Sequence, residues 1–329
     1  MSARRATSGL LAAAAIVMSL LVSACGSGTP AVITGAPAQS IGALAAATRT
    51  VALGVNTADA PSVAQAQSFA QLAGRRPQVV MWYQSWSEPL FYVNQVRPLA
   101  AQGYIPMINW HPSGSPSSRY TLHAIASGEF DAYIRTSARS AARWGRPMFL
   151  DLAQEMNIPG YAWSPGVNGN TPALYIRAWR HVVSIFRAEG ARNVRWVWAP
   201  NTDCDGRCPF TAFYPGDKWV DWVGLDGYNL AGVDGGPWKQ FQRIFAGSYR
   251  ALIALTDKPV MIAETASTEN GGSKAQWILS LRGALLSSFP RVRLLVWFDR
   301  IKEADWLINS SPSSLAAFRT IMRLPPFAG

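Results

Sequence analysis

Short apolar runs alternate with helix-like segments along most of the chain. Eight runs, apolar at nearly every position, are predicted as strands at 50–55, 78–83, 105–110, 147–153, 194–199, 221–227, 259–264 and 292–298. Between them, segments such as 62–73, 130–144, 172–190 and 274–289 repeat apolar residues every three or four positions, as amphipathic helices do. Strands that are apolar on both faces and alternate with helices are typical of a parallel sheet covered by helices.

The number of these units favours one fold. Eight strand–helix units in about 280 residues predict an α/β protein with a (β/α)8 fold, the TIM barrel. A doubly wound open sheet is the alternative, but no glycine-rich phosphate loop follows the first strand. No second domain boundary is visible, so residues 49–329 are predicted to form a single domain.

The N-terminal segment has the pattern of an export signal. Arg4 and Arg5 precede a short apolar run, and small residues lead to Cys25. This pattern resembles the lipobox of bacterial lipoproteins, in which the cysteine is lipidated after residues 1–24 are removed; ordinary secretory cleavage is the alternative. Residues 25–48 are predicted to form a flexible tether. We therefore expect an exported protein, lipid-anchored at the outer face of the bacterial cytoplasmic membrane or in the cell envelope.

Net charge limits the classes of binding partner, and the cysteines indicate a disulfide. The net charge is +11, and without Arg4 and Arg5 it is +9, which suits an anionic membrane surface or wall polymer; a solvated basic surface is the alternative. No nucleic-acid-binding motif accompanies the charge. Cys204 and Cys208 are predicted to form a disulfide, since a zinc site would need two more ligands nearby. We expect a monomer.

Polar and aromatic groups concentrate where the predicted strands end. In a (β/α)8 barrel these carboxyl ends build the active site. The groups are Trp82, Tyr83, Trp86, Asn109, Trp110, His111, Gln154, Glu155, Asn157, Trp198, Asn201, Asp226, Tyr228, Asn229, Glu264, Trp297, Phe298 and Asp299.

Two of these groups, Glu155 and Glu264, are the carboxylates that glycoside hydrolysis requires. One would protonate the leaving oxygen and the other would attack the anomeric carbon. A structural alternative is that both are salt-bridged residues of the barrel rim. The chain has only three histidines and no GxSxG motif, so the residues needed for a histidine metal cluster or a serine catalytic triad are scarce. No metal or cofactor is predicted.

Several longer segments resemble glycoside hydrolase family 26, whose best-known members are bacterial β-mannanases. They include EMN at 155–157, YPGDKWVDWVGLDGYN at 214–229, KPVMIAETAST at 258–268 and KEADWLINSSPSSLAAFR at 302–319, together with residues 168–201. The resemblance spans roughly residues 51–322. It implies a retaining glycosidase on a (β/α)8 barrel.

The resemblance also implies roles for individual residues. Glu155 matches the acid/base and Glu264 the nucleophile, so burial should raise the pKa of Glu155 while hydrogen bonds keep Glu264 ionised. Tyr228 matches a tyrosine that orients the nucleophile, Trp297 an aromatic sugar platform, and Trp163 part of a tryptophan-rich loop. The remaining predicted sugar contacts are Trp82, Trp86, Trp110, His111, Gln154, Asn157 and Trp198.

Several positions near the expected sugar site depart from the family pattern. Asp151 replaces an arginine, Gln154 a histidine and His111 an acidic residue, and Asp299 begins a changed stretch after the last strand. Because a site built for specific hydroxyls discriminates against mismatched ones, these changes predict an altered sugar specificity. The expected function is a cell-surface, endo-acting retaining glycosidase on a β-linked polysaccharide. Mannan is the first expectation, and mixed-linkage β-glucan, β-1,3-xylan or a wall glycan are alternatives. A non-catalytic glycan-binding lipoprotein and a purely structural wall-anchoring lipoprotein are the alternatives from other classes.

Overall fold

The computed structural model describes residues 40–47, 50–114, 119–202 and 206–328. Its centre is a closed barrel of eight parallel strands in chain order, with β8 paired to β1. The strands are β1 (Ala52–Asn56), β2 (Val79–Ser85), β3 (Ile105–His111), β4 (Met148–Leu152), β5 (Val194–Trp198), β6 (Trp222–Asp226), β7 (Val260–Thr265) and β8 (Val292–Phe298). The predicted (β/α)8 fold is confirmed, with every strand within a few residues of its predicted position.

Helices cover the outside of the barrel. They are α1 (Ile41–Ala46), α2 (Val63–Ala73), α3 (Val93–Ala101), α4 (Leu122–Ala126), α5 (Asp131–Trp144), α6 (Pro172–Ala188), α7 (Phe241–Leu255), α8 (Lys274–Ser287) and α9 (Pro312–Met322). The four helical segments singled out from the sequence correspond to α2, α5, α6 and α8. In the described part of the connection from β5 to β6, a 3-10 turn at Thr211–Phe213 stands in place of an α-helix.

Local sequence signals set the helix boundaries. The side chain of Ser62 accepts a hydrogen bond from the backbone N–H of Gln65, and the Gln65 side chain accepts one in return from the N–H of Ser62. This capping box begins α2, which ends at Gly74 in the left-handed conformation that glycine adopts without steric cost. Thr171 caps α6, and Pro172 occupies its first turn, where a missing N–H costs nothing.

The strands bury two different faces. Residues such as Met81, Met107 and Val296 fill the interior of the barrel. Their neighbours Trp82 and Ile108 belong to the separate core between strands and helices. Because side chains alternate along a strand, every second residue after these faces the barrel interior, and the last ones on each strand can reach the barrel mouth.

The N-terminal boundary of the folded part differs from the prediction. Residues 41–46, predicted to belong to a flexible tether, form helix α1. Ile41 and Leu44 are buried in a cluster that includes Ala52 and Val79, the first residues of β1 and β2. Two apolar side chains three positions apart give this short helix a buried face against the end of the barrel where the strands begin. The predicted signal peptide and Cys25 lie outside the described residues. Within the described ranges, no helix has the length and hydropathy needed to span a bilayer.

Candidate active site

A cavity of about 420 Å³ opens at the end of the barrel where the strands finish. Its lining comes from strand ends and from the loops after β4, β5, β6 and β8. The lining residues are Tyr83, His111, Gln154, Glu155, Tyr161, Asn201, Tyr228, Leu230, Val233, Asp234, Glu264, Phe298, Lys302, Glu303 and Trp306. Both candidate carboxylates therefore face one shared space.

Glu264, near the end of β7, is held by donors from three other strand ends. Asn109 Nδ2 donates to its Oε1 at 2.7 Å, and the Tyr228 hydroxyl donates to its Oε2 at 2.7 Å. Tyr83 also hydrogen-bonds this carboxylate. Because all three partners donate, the arrangement stabilises the ionised form of Glu264 and fixes its orientation.

Glu155 enters the cavity through an unusual backbone turn. Ala153 and Glu155 both have φ of +51°, in the left-handed region that residues with a Cβ rarely occupy. The turn is held because the N–H of Ala153 donates to the carbonyl of Trp110, and that of Glu155 donates to the carbonyl of Ala199 at 2.8 Å. Strained backbone of this kind concentrates at functional sites.

Both carboxylate oxygens of Glu155 accept hydrogen bonds. Asn201 Nδ2 donates to Oε1 and the Tyr161 hydroxyl to Oε2, each at 2.5 Å. Asn201 is positioned in turn by Asn157, whose amide oxygen accepts from the N–H of Asn201 and whose Nδ2 donates to the Asn201 carbonyl at 2.9 Å. Tyr161 stacks on Trp163 with ring centroids 4.6 Å apart and planes 6° from parallel. Asn157 and Trp163 thus support the site from behind.

Burial raises the pKa of both carboxyl groups. The pKa of Glu264 rises from its ordinary 4.5 to about 7, first because of burial and then because of the negative charge of Glu155. Burial also raises the pKa of Glu155, against the hydrogen bonds from Tyr161 and Asn201. The raised pKa expected for Glu155 is present. The expectation that hydrogen bonds keep Glu264 ionised is wrong, because burial and the charge of Glu155 outweigh them and raise its pKa as well. The two groups therefore titrate as a pair.

The raised pKa of Glu264 predicts a specific dependence of stability on pH. Between pH 4.5 and about 7 the folded state binds more protons at this site than the unfolded state, so the free energy of unfolding falls as pH rises through that window. Glu264→Gln removes this loss. We expect the variant to gain melting temperature over the wild type at pH 8 and to show no gain at pH 4, measured by calorimetry.

Glu269→Gln provides a control of opposite sign. Burial opposes ionisation of Glu269, but hydrogen bonds from Ser310 and Ser314, each 2.7 Å long, lower its pKa overall. Its ionised form therefore stabilises the fold above pH 4.5, and the variant should lose melting temperature at pH 8. A gain in both variants at pH 8 would contradict the assignment to Glu264.

Two of the departures from the family pattern, His111 and Gln154, contact each other in the cavity wall. Gln154 Nε2 lies 2.6 Å from Nε2 of His111. The amide nitrogen can only donate, so His111 accepts at Nε2 and carries its proton on Nδ1. Burial lowers the pKa of His111 to about 4. This wall of the cavity is therefore uncharged at neutral pH.

Asp151 and Asp299, which also depart from the family pattern, are absent from the cavity lining. Asp151 is fully buried inside the barrel beneath the two glutamates, and burial, with their negative charges, raises its pKa well above the usual range. Asp226 on β6 is buried in the same way. Asp299 accepts from the N–H of Ile308 at 2.7 Å and so shapes the loop after β8.

Five of the predicted sugar contacts are wrong. Trp82, Trp86, Trp110, Trp198 and Trp297 are at most 2% exposed and pack in the core between strands and helices. Four of them lie on strands, where alternation directs them outward while the adjacent residue faces the cavity or the barrel interior. Trp163 and Asn157 are also absent from the cavity lining, although they contact residues that line it.

Of the predicted site, the structure brings Glu155, Glu264, His111, Gln154 and Tyr228 together at the cavity. Cys204 lies outside the described residues, so its pairing with Cys208 stays a prediction. The same holds for lipidation of Cys25.

Sequence reasoning did not select most of the remaining lining residues. Tyr83, Asn201 and Phe298 stand at predicted strand ends and face the cavity, whereas the tryptophans beside Tyr83 and Phe298 do not. The alternation of side chains indicates that one residue of each neighbouring pair faces the cavity, Tyr83 or Trp82 and Phe298 or Trp297, but it does not say which one. Leu230, Val233, Asp234, Lys302, Glu303 and Trp306 come from long loops after β6 and β8, whose positions no sequence period predicts. In the described ranges, no cluster of three histidine, cysteine or acidic residues is arranged to hold a metal ion.

Comparison with known proteins agrees with this architecture. The family model described as glycosyl hydrolase family 26 matches residues 134–284. Endoglucanase H of Acetivibrio thermocellus is 39% identical over 268 residues, which is 79% of this chain and 29% of that protein. Mannan endo-1,4-beta-mannosidase A and B of Caldalkalibacillus mannanilyticus is 30% identical over 71% of this chain and 49% of its own length. The chain thus spans less than half the length of either relative.

The fold is shared with solved structures as well. A modular endo-beta-1,4-mannanase from Cellulomonas fimi superposes with a TM-score of 0.66 at 18% identity, over 84% of this chain and 71% of that one. The family-model match, the sequence relatives and the shared barrel thus make this chain similar to glycosyl hydrolase family 26.

Proposed function

We propose that the protein is a retaining endo-glycosidase that cleaves a β-linked polysaccharide, with Glu264 as nucleophile and Glu155 as acid/base. The observation that carries the proposal is the pair of buried glutamates facing one open cavity, each with both oxygens held by hydrogen-bond donors. This arrangement can supply both a nucleophile and a proton donor to one glycosidic bond.

The proposed reaction has two displacements. In the first, a Glu264 oxygen bonds to the anomeric carbon while the glycosidic C–O bond breaks, and the departing oxygen takes the proton of Glu155. In the second, Glu155 removes a proton from water, the water oxygen bonds to the anomeric carbon, and the bond to Glu264 breaks. Two inversions leave the product with the configuration of the substrate.

The hydrogen bonds support this division of roles. Glu264 has three donors, which favour a carboxylate able to attack. Glu155 has two, and its pKa is raised by burial, so the pair can hold the one proton that the first step consumes. Burial raises the pKa of the Tyr228 and Tyr161 hydroxyls, so both stay protonated and can donate hydrogen bonds to the carboxylates.

For the substrate, we propose a β-linked glucan, with β-mannan as the second candidate. The 39% identity to a protein named endoglucanase H supports glucan, and the 30% identity to a mannan endo-1,4-beta-mannosidase supports mannan. Aromatic side chains in the cavity, Tyr83, Phe298 and Trp306, can pack against the C–H faces of either sugar. His111 and Gln154 are uncharged and suited to hydrogen bonds with hydroxyls.

A polysaccharide panel tests the proposal. Wild type, Glu155→Ala and Glu264→Ala are assayed on β-1,4-mannan, β-1,4-glucan, mixed-linkage β-glucan and β-1,3-xylan, with reducing ends, product lengths and the anomeric configuration followed by NMR. We expect β-anomeric products of intermediate length from a glucan. Binding without turnover on every polysaccharide would favour a glycan-binding lipoprotein. Release of α-anomeric products would exclude retention.

Tyr161 offers a test of the acid/base assignment. Its hydrogen bond to Glu155 lowers the pKa of that carboxyl, so Tyr161→Phe should raise it. We expect the alkaline limb of the pH profile of kcat/KM to move to higher pH. Tyr228→Phe, which removes a donor from Glu264 instead, should move the acidic limb to higher pH. If Tyr161→Phe shifts only the acidic limb, the two carboxyl roles are reversed.

The cellular location is also a proposal. The sequence pattern before Cys25 supports export and lipid anchoring at the cell surface, where polysaccharide substrates are accessible. Palmitate labelling of the wild type and of Cys25→Ser in a bacterial host tests it, with label expected only in the wild type.

A further inference from the structure

The charges of the barrel are segregated between its two ends. The end where the strands begin is formed by the first two residues of each strand and the four residues before it. Among the described residues, these segments hold nine basic side chains and two acidic ones, Asp221 and Asp257. The basic ones, here called the basal face, are Arg75, Arg76, Arg146, Arg192, Arg195, Lys218, Lys258, Arg291 and Arg293.

The opposite end has the reverse balance. The last two residues of each strand and the four that follow hold, where described, eight acidic side chains and two basic ones, Arg300 and Lys302. The acidic ones are Asp59, Glu88, Asp151, Glu155, Asp226, Glu264, Glu269 and Asp299. The basic and acidic side chains thus lie at opposite ends of the parallel strands, and the net positive charge is concentrated at the end where the strands begin.

The basal charges are largely uncompensated. Arg195 and Arg293 donate to backbone carbonyl oxygens, which leaves their positive charge in place. Among the described residues, the ion pair found in this set joins Arg291 to Asp257 at 3.6 Å, and Asp257 is fully exposed. Asp221 accepts a hydrogen bond from the N–H of Trp196. An exposed face with this balance attracts an extended anionic surface.

The chain also enters the described domain at this face. Helix α1 packs across the end where the strands begin, and its N-cap Ser40 is exposed. Fourteen residues lie between Cys25 and Ser40, so the chain between them can reach at most about 55 Å. A lipid on Cys25 would therefore tether the domain to a bilayer through the end that carries the basal face.

We propose that the basal face docks onto an anionic phospholipid bilayer, so that the cavity at the opposite end points away from the membrane toward polysaccharide. The choice of a bilayer over a soluble anionic polymer rests on the predicted N-terminal anchor. The proposal is independent of the catalytic function, because it concerns the other end of the barrel. Lysine and arginine side chains close to an anionic bilayer each strengthen binding by roughly a factor of five.

The test removes three exposed charges from the basal face. Arg146, Arg192 and Arg195 lie at the starts of two neighbouring strands, since Met148 of β4 pairs with Val194 of β5. The triple variant Arg146→Gln, Arg192→Gln, Arg195→Gln is compared with Arg97→Gln, Arg177→Gln, Arg250→Gln, which removes three exposed arginines from α3, α6 and α7. Both sets change the net charge equally. All proteins carry Cys25→Ser, so that no lipid is attached.

Binding is measured by sedimentation with vesicles of phosphatidylcholine alone and with 30% phosphatidylglycerol. We expect salt-sensitive binding to the anionic vesicles, a loss of at least tenfold in the basal triple, and less than twofold in the control triple. An Arg→Lys triple at the basal positions should retain binding, which separates charge from misfolding. Equal losses in both Gln triples, or binding to soluble polyphosphate but not to anionic vesicles, would overturn the proposal.

Discussion

Glu264→Ala is expected to lower kcat/KM on the polysaccharide that the wild type cleaves by roughly 10⁴-fold or more, since loss of a covalent nucleophile typically has an effect of this size. The cavity around Glu264 is built to hold this carboxylate, with Asn109 and Tyr228 each 2.7 Å from one of its oxygens. Alanine leaves both donors without an acceptor and removes the attacking atom. Glu129→Ala, a change at an exposed position, should leave the rate unaltered.

Azide rescue makes this expectation specific to the nucleophile. A small anion can enter the space left by the Glu264 side chain and attack the anomeric carbon once, so the product should be an α-glycosyl azide. In Glu155→Ala, azide would instead displace Glu264 from the intermediate and give a β-glycosyl azide. A β-azide from Glu264→Ala would reverse the roles of the two glutamates, and hydrolysis that persists in Glu264→Ala without azide would remove it from the mechanism.

Trp110→Ala is expected to lower the free energy of unfolding by about 3 to 5 kcal/mol, the usual cost of deleting a buried tryptophan side chain. Trp110 is fully buried, its ring lies 4.8 Å from that of Trp86 and 5.7 Å from that of Phe186, and it does not line the cavity. Denaturant unfolding measures the loss. The folded fraction should retain the KM of the wild type.

Trp306→Ala provides the contrast. Trp306 is nearly as buried but lines the cavity, with its ring 5.4 Å from that of Tyr228. Loss of an aromatic packing surface under a sugar should lower kcat/KM by about tenfold. An increase in KM for Trp110→Ala as large as that for Trp306→Ala would restore Trp110 to the substrate site.

The buried acids beneath the cavity fit an enzyme site better than a stable core. Asp151 and Asp226 are fully buried without a cationic partner among the described residues, and the backbone hydrogen bonds from Ala199 and Glu264 lower their pKa values by less than burial raises them. Each unpaired buried carboxyl costs stability unless it is protonated, which is the direction in which burial moves both pKa values. The negative charges of Glu264 and Glu155 add to the rise in both pKa values, so the two aspartates are coupled to the site without touching substrate.

The two ends of the strands explain why some site residues could be predicted and others could not. Glu155 and Glu264 follow apolar runs, and in a parallel barrel every strand ends at the same mouth, so their meeting follows from strand direction. The strand tryptophans follow the same runs but face outward. Both faces of these strands are buried, so polarity does not reveal which side faces the cavity.

The sequence by itself determined the eight strand–helix units, the closed barrel they imply and the presence of two carboxylates at its mouth, because these depend on period and chain direction. Only the tertiary structure decided that Tyr83 and Phe298 face the cavity in place of Trp82 and Trp297, and that Tyr161 and Asn201 hold Glu155. It also decided that residues 41–46 pack as a helix instead of remaining a tether. These outcomes depend on contacts between segments far apart in the chain, which no local pattern encodes.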